Sequence, residues 1–163
     1  MIRRHHHILT FILLAGLLAA GSGLPAHETF AAPAEPSGSQ KDNDLFLVAQ
    51  KAFDDGFYDV AIRYIDQLFR EFPGTDKRVQ ANLILGQCYF FKNQYLKAFD
   101  IFKQNLEFQE LKDATLFWLG ETYLKGSDYA QARKSYQQLI DLYPDSPFVQ
   151  DAKREIDTLT KAA

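Results

Sequence analysis

The chain has 163 residues, of which 47% are hydrophobic and 24% are charged, as in one globular domain or a short repeat array. Its net charge of −3 gives no indication of the basic face that a nucleic-acid-binding protein needs to neutralise phosphates, so no nucleic-acid partner is predicted. The single cysteine, Cys88, excludes an intramolecular disulfide, so packing must hold the fold together. We expect this thiol to be buried in an apolar helix, with a reactive or intermolecularly bonded thiol as the alternative.

The first 31 residues have the pattern of a secretory signal peptide. Arg3 and Arg4 precede an uncharged apolar stretch over residues 8–20, which small and turn-forming residues follow. As a helix this stretch would span roughly 20 Å, less than the ~30 Å hydrocarbon core, so an uncleaved membrane anchor is the weaker alternative. We predict cleavage after Ala31, with Ala26 as the alternative site. Neither site has the cysteine of a lipoprotein, so the exported protein is predicted to be periplasmic or secreted, without a lipid anchor.

Export would also remove the residues that most often carry chemistry. All four histidines precede Ala31, so cleavage there leaves a chain with no histidine and one cysteine. Such a chain has no Ser-His or Cys-His pair and no histidine-based metal site. The acidic pair Asp54 and Asp55 precedes Gly56 and is predicted to form a solvated turn, not a general acid–base pair. We therefore predict no catalysis, no metal and no cofactor.

Downstream of the signal peptide the pattern changes twice. Residues 32–43 are rich in proline and small polar residues, and they are predicted to form a flexible leader because they bury too little apolar surface to become ordered. From Asp44 onward apolar residues recur at helical spacing, as Leu45, Val48 and Ala52 do at i, i+3 and i+7. Turn residues separate the helical stretches. Seven helices are predicted, over residues 44–55, 58–71, 77–92, 95–106, 113–125, 129–142 and 147–160.

The first six predicted helices pair into three repeats of about 34 residues. Two series of equivalent small residues carry this period, each stepping by 37 and then 34 residues: Ala49, Gly86 and Gly120, and Ala61, Ala98 and Ala132. Small residues at these positions let paired helices approach closely. With the Leu-Gly-x2-Tyr pattern at Leu119, the period resembles the tetratricopeptide-repeat (TPR) family. Trp118 departs from it, lying two positions past the family's tryptophan.

The resemblance covers about residues 44–144 and implies an all-α, right-handed TPR solenoid. It would consist of three helix-turn-helix repeats, at about 44–75, 76–110 and 113–145, plus a C-terminal capping helix over 147–160. We expect Ser146 to be the N-cap of that helix, and Pro147 its first residue. Its charged residues suit a terminal cap, which needs one polar face. The folded domain is thus predicted to span residues 44–160.

In TPR arrays the first helix of each repeat lines a concave groove. By position, the resemblance assigns ten lining residues to three apolar stripes with a polar residue in each: Phe46, Gln50 and Phe53; Leu83, Gln87, Phe90 and Phe91; Phe117, Glu121 and Leu124. Such a groove would suit an amphipathic helix or an extended apolar peptide. Two alternatives remain open at this point, namely that the stripes mediate homo-oligomerisation and that they are core.

The ends of two repeats resemble those of cell-envelope TPR proteins. Residues 70–75 and 141–146 both combine an aromatic-Pro pair with a short Ser/Thr turn, as in the Tol–Pal-associated cell-division coordinator and outer-membrane assembly TPR lipoproteins. This resemblance implies a non-catalytic periplasmic adaptor or scaffold that binds another protein or a peptide segment and no nucleic acid. A self-associating structural subunit of an envelope assembly is the alternative.

Overall fold

The computed structural model describes residues 38–161, which form seven α-helices and no strand. Each helix packs against the next along the chain. The helices are α1 Gly38–Asp54, α2 Tyr58–Glu71, α3 Arg78–Phe91, α4 Tyr95–Asn105, α5 Lys112–Lys125, α6 Tyr129–Leu142 and α7 Val149–Lys161. The predicted all-α solenoid, with three helix pairs and one additional C-terminal helix, is confirmed. The predicted signal peptide over 1–31 lies outside the described residues.

The cores of the repeats depend on small residues in the first helix of each pair. Ala49 of α1 is fully buried and shares a core cluster with Ile65 of α2. In the second repeat a Cβ atom on Gly86 would overlap the ring of Phe102. In the third, a Cβ on Gly120 would overlap the ring of Tyr136 in the same way. The residue in the first helix is therefore smaller wherever its partner in the second helix is an aromatic ring.

Helix α1 begins earlier than the sequence predicted. It starts at Gly38, so residues 38–43, the second half of the predicted flexible leader, are helical. The hydroxyl of Thr75 donates a hydrogen bond to the carboxylate of Asp42 at 2.9 Å, which ties the first turns of α1 to the loop between α2 and α3. These polar turns are thus stabilised by a tertiary hydrogen bond, which the composition of the leader does not indicate.

Helix α7 begins two residues later than predicted, although the Ser146 hydroxyl accepts the backbone hydrogen bond expected of the predicted N-cap. The first helical residue is Val149. The hydroxyl of Ser146 accepts a bond from the Phe148 amide at 3.3 Å and donates one to the Asp113 carboxylate at 2.6 Å. Ser146 therefore closes a turn in front of α7 and joins it to α5, and the helix starts only after that turn.

Candidate partner-binding groove

A row of aromatic rings runs from α1 across α3 and α5 to the turn before α7. The ring of Phe53 lies 6.1 Å from that of Phe91, measured between centroids. Phe91 is 5.5 Å from Trp118, and Trp118 is 5.8 Å from Phe117. Phe117 stacks on Phe148 at 5.0 Å. Tilted and edge-to-face contacts at these distances are favourable, so the rings support one another as a continuous apolar strip.

Part of this strip forms the floor of a cleft of about 390 Å³ between α3, α5 and α7. Four rings make the floor, and charged side chains from the end of α5 and from α7 make the rim. The lining residues are Phe90, Phe91, Phe117, Trp118, Glu121, Lys125, Asp151, Arg154 and Glu155. An apolar floor with a few polar groups at its edge is the usual composition of a binding site.

The rings of the floor differ in how open they are. Phe91 keeps 44% of its surface exposed, although it touches four other rings. Phe90, its neighbour, is buried in a core cluster with Phe102. Trp118 and Phe117 are half-buried. Phe91 is therefore the ring that a partner can cover without disturbing the fold, whereas Phe90 holds the second and third repeats together.

The rim of the cleft carries three carboxylates and two basic groups. Burial raises the pKa of the Glu121 carboxyl, the hydrogen bond that it accepts from the Tyr136 hydroxyl at 2.7 Å lowers it, and Glu155 raises it again. Burial also raises the pKa of Tyr136, so that hydroxyl remains a donor. Arg154 forms an ion pair with Asp151. The rim is therefore acidic overall, and Glu121 sits in its least hydrated part.

The cleft contains four of the ten residues that the sequence assigned to the groove, namely Phe90, Phe91, Phe117 and Glu121. Phe53 joins the same strip through its contact with Phe91. The remaining five lie elsewhere on the same helices: Phe46, Leu83 and Leu124 are half-buried against core clusters, Gln87 is half-buried, and Gln50 is exposed. The cleft thus takes its predicted groove residues from the second and third repeats, and the longer groove over all three repeats stays a prediction.

Five residues of the cleft were missed, namely Trp118, Lys125, Asp151, Arg154 and Glu155. The sequence did contain a signal for one of them. Helix α7 starts 37 residues after α5, so it occupies the place of a fourth first helix. That step places Arg154 at the position of Phe46, Leu83 and Phe117. The sequence predicted α7 only as a cap with a solvated charged face, and residues of α7 were therefore not assigned to the binding site.

Chemistry at the thiol is disfavoured by its surroundings. Cys88 is fully buried, as expected, and burial raises its pKa to about 12, so the thiol is protonated near neutral pH.

In the part of the chain that the structure describes, no group of three or more histidine, cysteine, aspartate or glutamate side chains could hold a metal ion. None of the helices over residues 38–161 is long and apolar enough to cross a membrane.

Two family models, both described as tetratricopeptide repeat, match residues 48–108 and 114–146. Together they cover more than half of the chain. The chain belongs to the tetratricopeptide-repeat family. The resemblance noted in the sequence is therefore confirmed, and the family is one of non-catalytic scaffolds for protein–protein interaction.

Among curated proteins, this TPR chain is similar to the outer membrane protein assembly factor BamD of Pasteurella multocida (strain Pm70). The two are 26% identical over 132 residues, covering 68% of this chain and 51% of BamD. The chain therefore spans about half the length of this relative. The similarity agrees with the outer-membrane assembly resemblance seen in the sequence.

Solved structures of TPR proteins share the fold. PcrH of Pseudomonas aeruginosa, in complex with the chaperone binding region of PopD, aligns with a TM-score of 0.68 and 15% identity, covering 80% of this chain and 98% of PcrH. The first TPR domain of Spaghetti (RPAP3), bound to an HSP90 peptide, aligns with a TM-score of 0.65 and 19% identity. That alignment covers 76% of this chain and 94% of the domain. At these identities the likeness establishes the fold alone.

Proposed function

We propose that this protein is an exported, periplasmic adaptor that holds an apolar or amphipathic segment of a partner protein in the cleft between α3, α5 and α7. The exposed ring of Phe91 on a floor of aromatic side chains carries this proposal. Aromatic rings that remain open in a concave site are typical anchor points for a partner. The complexes of PcrH with the chaperone binding region of PopD and of the first TPR domain of Spaghetti (RPAP3) with an HSP90 peptide support the same kind of role.

The acidic rim of the cleft favours a partner segment that carries basic side chains. Arg154 is engaged by Asp151, and Lys125 lies close enough to Glu121 to lower its pKa. Glu155 is then the rim carboxylate left to face a partner. A segment with a large apolar side chain beside a lysine or arginine would place the apolar group on the floor and its charge against Glu155. An amphipathic helix with basic flanks fits this description better than an acidic peptide.

The only tryptophan of the chain, Trp118, lies in the cleft, so its fluorescence reports on that site. The probe is a helix-forming peptide of leucine and lysine, and the control peptide has serine in place of leucine. We expect the first peptide to change the emission of Trp118 with saturation and the second to leave it unchanged. Equal responses to the two peptides would contradict an apolar binding site.

A matched pair of substitutions localises the binding. Phe91→Ser should weaken binding of the leucine–lysine peptide about tenfold, because loss of a central aromatic anchor costs more than ~1 kcal/mol. Leu96→Ser is the control, since Leu96 on α4 is 83% exposed and does not line the cleft. Both variants should retain the far-UV circular dichroism of the wild type. Equal affinity of the two variants would remove Phe91 from the binding site.

Export is tested by N-terminal sequencing of the protein from fractionated cells. We expect it in the periplasmic fraction with Ala32 as its first residue, or His27 if cleavage follows Ala26. The signal-peptide pattern and the similarity to an outer membrane assembly factor support this expectation. Recovery of the intact N-terminus from the cytoplasm would refute export and leave the cleft proposal standing.

A further inference from the structure

The N-terminal end of the array presents an apolar face that is separate from the cleft. Leu47 and Val48 of α1 are 50% and 42% exposed, and Phe57, in the turn before α2, is 63% exposed. The three side chains border one shallow depression of about 380 Å³, which Lys51 and Asp55 also line. Contiguous exposed apolar side chains on a globular protein mark an interaction surface more often than isolated ones do.

The repeat explains why this face is apolar. In α3 the equivalent row of residues is buried in the core cluster that α3 shares with α2: Ala81, Ile84, Leu85 and Cys88. The positions 37 residues earlier form the corresponding row of α1: Asp44, Leu47, Val48 and Lys51. Within residues 38–161 no helix precedes α1 to cover that row. The exposed face of α1 thus has the apolar centre that an inter-repeat contact has in α3. Asp44 lies at one end of this centre and Lys51 at the other.

The opposite end of the array is built differently. All exposed residues of α7 are polar, among them Lys153, Asp157 and Lys161. Head-to-tail stacking of two copies would therefore place the apolar face of α1 against a charged surface, which is unfavourable. Pairing of two α1 faces around a two-fold axis buries apolar against apolar, and such isologous pairing closes after two copies.

The charges on α1 are self-complementary in one such arrangement. With the two-fold axis between Leu47 and Val48, antiparallel α1 helices bring Leu47 of each copy against Val48 of the other. The same register sets Asp44 of each copy opposite Lys51 of the other, because both residues lie one helical turn from the axis. We propose that this face is a homodimer interface in which two antiparallel α1 helices pair, with Phe57 at its edge.

The size of the face sets the strength of the pairing. One helix per copy offers less than the ~1,200 Å² that stable complexes bury, so the dimer should be a weak one that dissociates on dilution. Sedimentation velocity of the isolated protein, from micromolar to submillimolar concentration, should show monomers at the low end and dimers at the high end. A monomer at every concentration would overturn the proposal, including the case in which another part of the chain covers α1.

A charge-reversal cycle tests the register. Asp44→Lys places lysine against Lys51, and Lys51→Asp places aspartate against Asp44, so each should raise the dimer dissociation constant about tenfold. The double variant Asp44→Lys/Lys51→Asp restores opposite charges and should return the constant to within about threefold of the wild type. Lys51 also pairs with Asp55 of its own helix, but such an exposed pair contributes little, so the singles should stay folded.

The apolar centre is tested separately. Val48→Glu should abolish the dimer over the same concentration range, whereas Leu96→Glu, an apolar-to-acidic change at another exposed position, on α4, should not. The proposal is overturned if Val48→Glu still forms the dimer and neither Asp44→Lys nor Lys51→Asp changes the dissociation constant. The dimer would then use another surface. Loss of the dimer in both singles without recovery in the double variant would overturn the register, and with it the proposed pairing.

Discussion

The second repeat ends differently from the first and the third. Helices α2 and α6 each have 14 residues, whereas α4 has 11. This shortening by about one turn accounts for the steps of 37 and then 34 residues between equivalent positions. The first and third repeats close with a Pro turn and a hydroxyl–carboxylate bond, from Thr75 to Asp42 and from Ser146 to Asp113. These two bonds occupy equivalent positions.

The second repeat uses other means to close. Asn105, the last residue of α4, is fully buried and donates hydrogen bonds to the Thr115 hydroxyl at 3.2 Å and the Val79 carbonyl at 3.4 Å. Its side-chain oxygen, Oδ1, has no hydrogen-bond partner among the described groups. Leu111, just before α5, adopts a left-handed backbone with φ of 55°. In the second repeat, where α4 is about one turn shorter, a buried amide and a residue with positive φ thus replace the hydroxyl–carboxylate bond.

The largest effect is expected at the buried amide. Asn105→Asp places a carboxylate of the same shape in a dry site, and we expect it to lower the free energy of unfolding by at least ~3 kcal/mol at neutral pH. The same change at Asn93, which is exposed and accepts a bond from the Tyr95 hydroxyl, should cost under ~0.5 kcal/mol. Urea unfolding measures both. Equal costs at the two sites would mean that Asn105 is not the closure of the second repeat.

The hydroxyl–carboxylate bond should have an intermediate effect. Ser146→Ala removes the donor to Asp113 and the acceptor for the Phe148 amide, so we expect a loss of about 1.5 kcal/mol. Gln109 stands three residues before α5, as Ser146 stands before α7, but it is exposed. Gln109→Ala should therefore change the unfolding free energy by less than ~0.5 kcal/mol. A comparable loss in both variants would show that the second repeat closes as the third does.

The smallest effect concerns the left-handed residue. Leu111→Gly and Leu111→Ala lose the same packing, but glycine tolerates positive φ, so the glycine variant should be more stable by about 0.5–1 kcal/mol. At Leu106, which has a right-handed backbone with φ of −64°, the order should reverse. Chemical denaturation of the four variants compares them. If the alanine variant is more stable than the glycine variant at both positions, Leu111 is not strained.

Local sequence patterns were sufficient to predict most helix bounds, but they predicted only some of the residues that line the cleft. Five of the seven helices begin and end within one residue of the predicted bounds, because helical spacing and turn residues are local properties. The other two, α1 and α7, start elsewhere because the hydroxyls of Thr75 and Ser146 bond to residues 33 positions away. Of the predicted groove residues, those at the second-to-third junction entered the cleft, since its depth depends on where α7 lies.

The sequence by itself determined that this chain is a three-repeat helical array with a small residue at the centre of each helix pair, because periodicity and side-chain size act within one repeat. Only the tertiary structure decided which aromatic rings stay open, since Phe90 and Phe91 are neighbours with opposite exposure. It also decided that Tyr136 bonds Glu121 and that α7 supplies a wall of the cleft. These features depend on contacts between helices distant along the chain, whose relative positions no single stretch of sequence encodes.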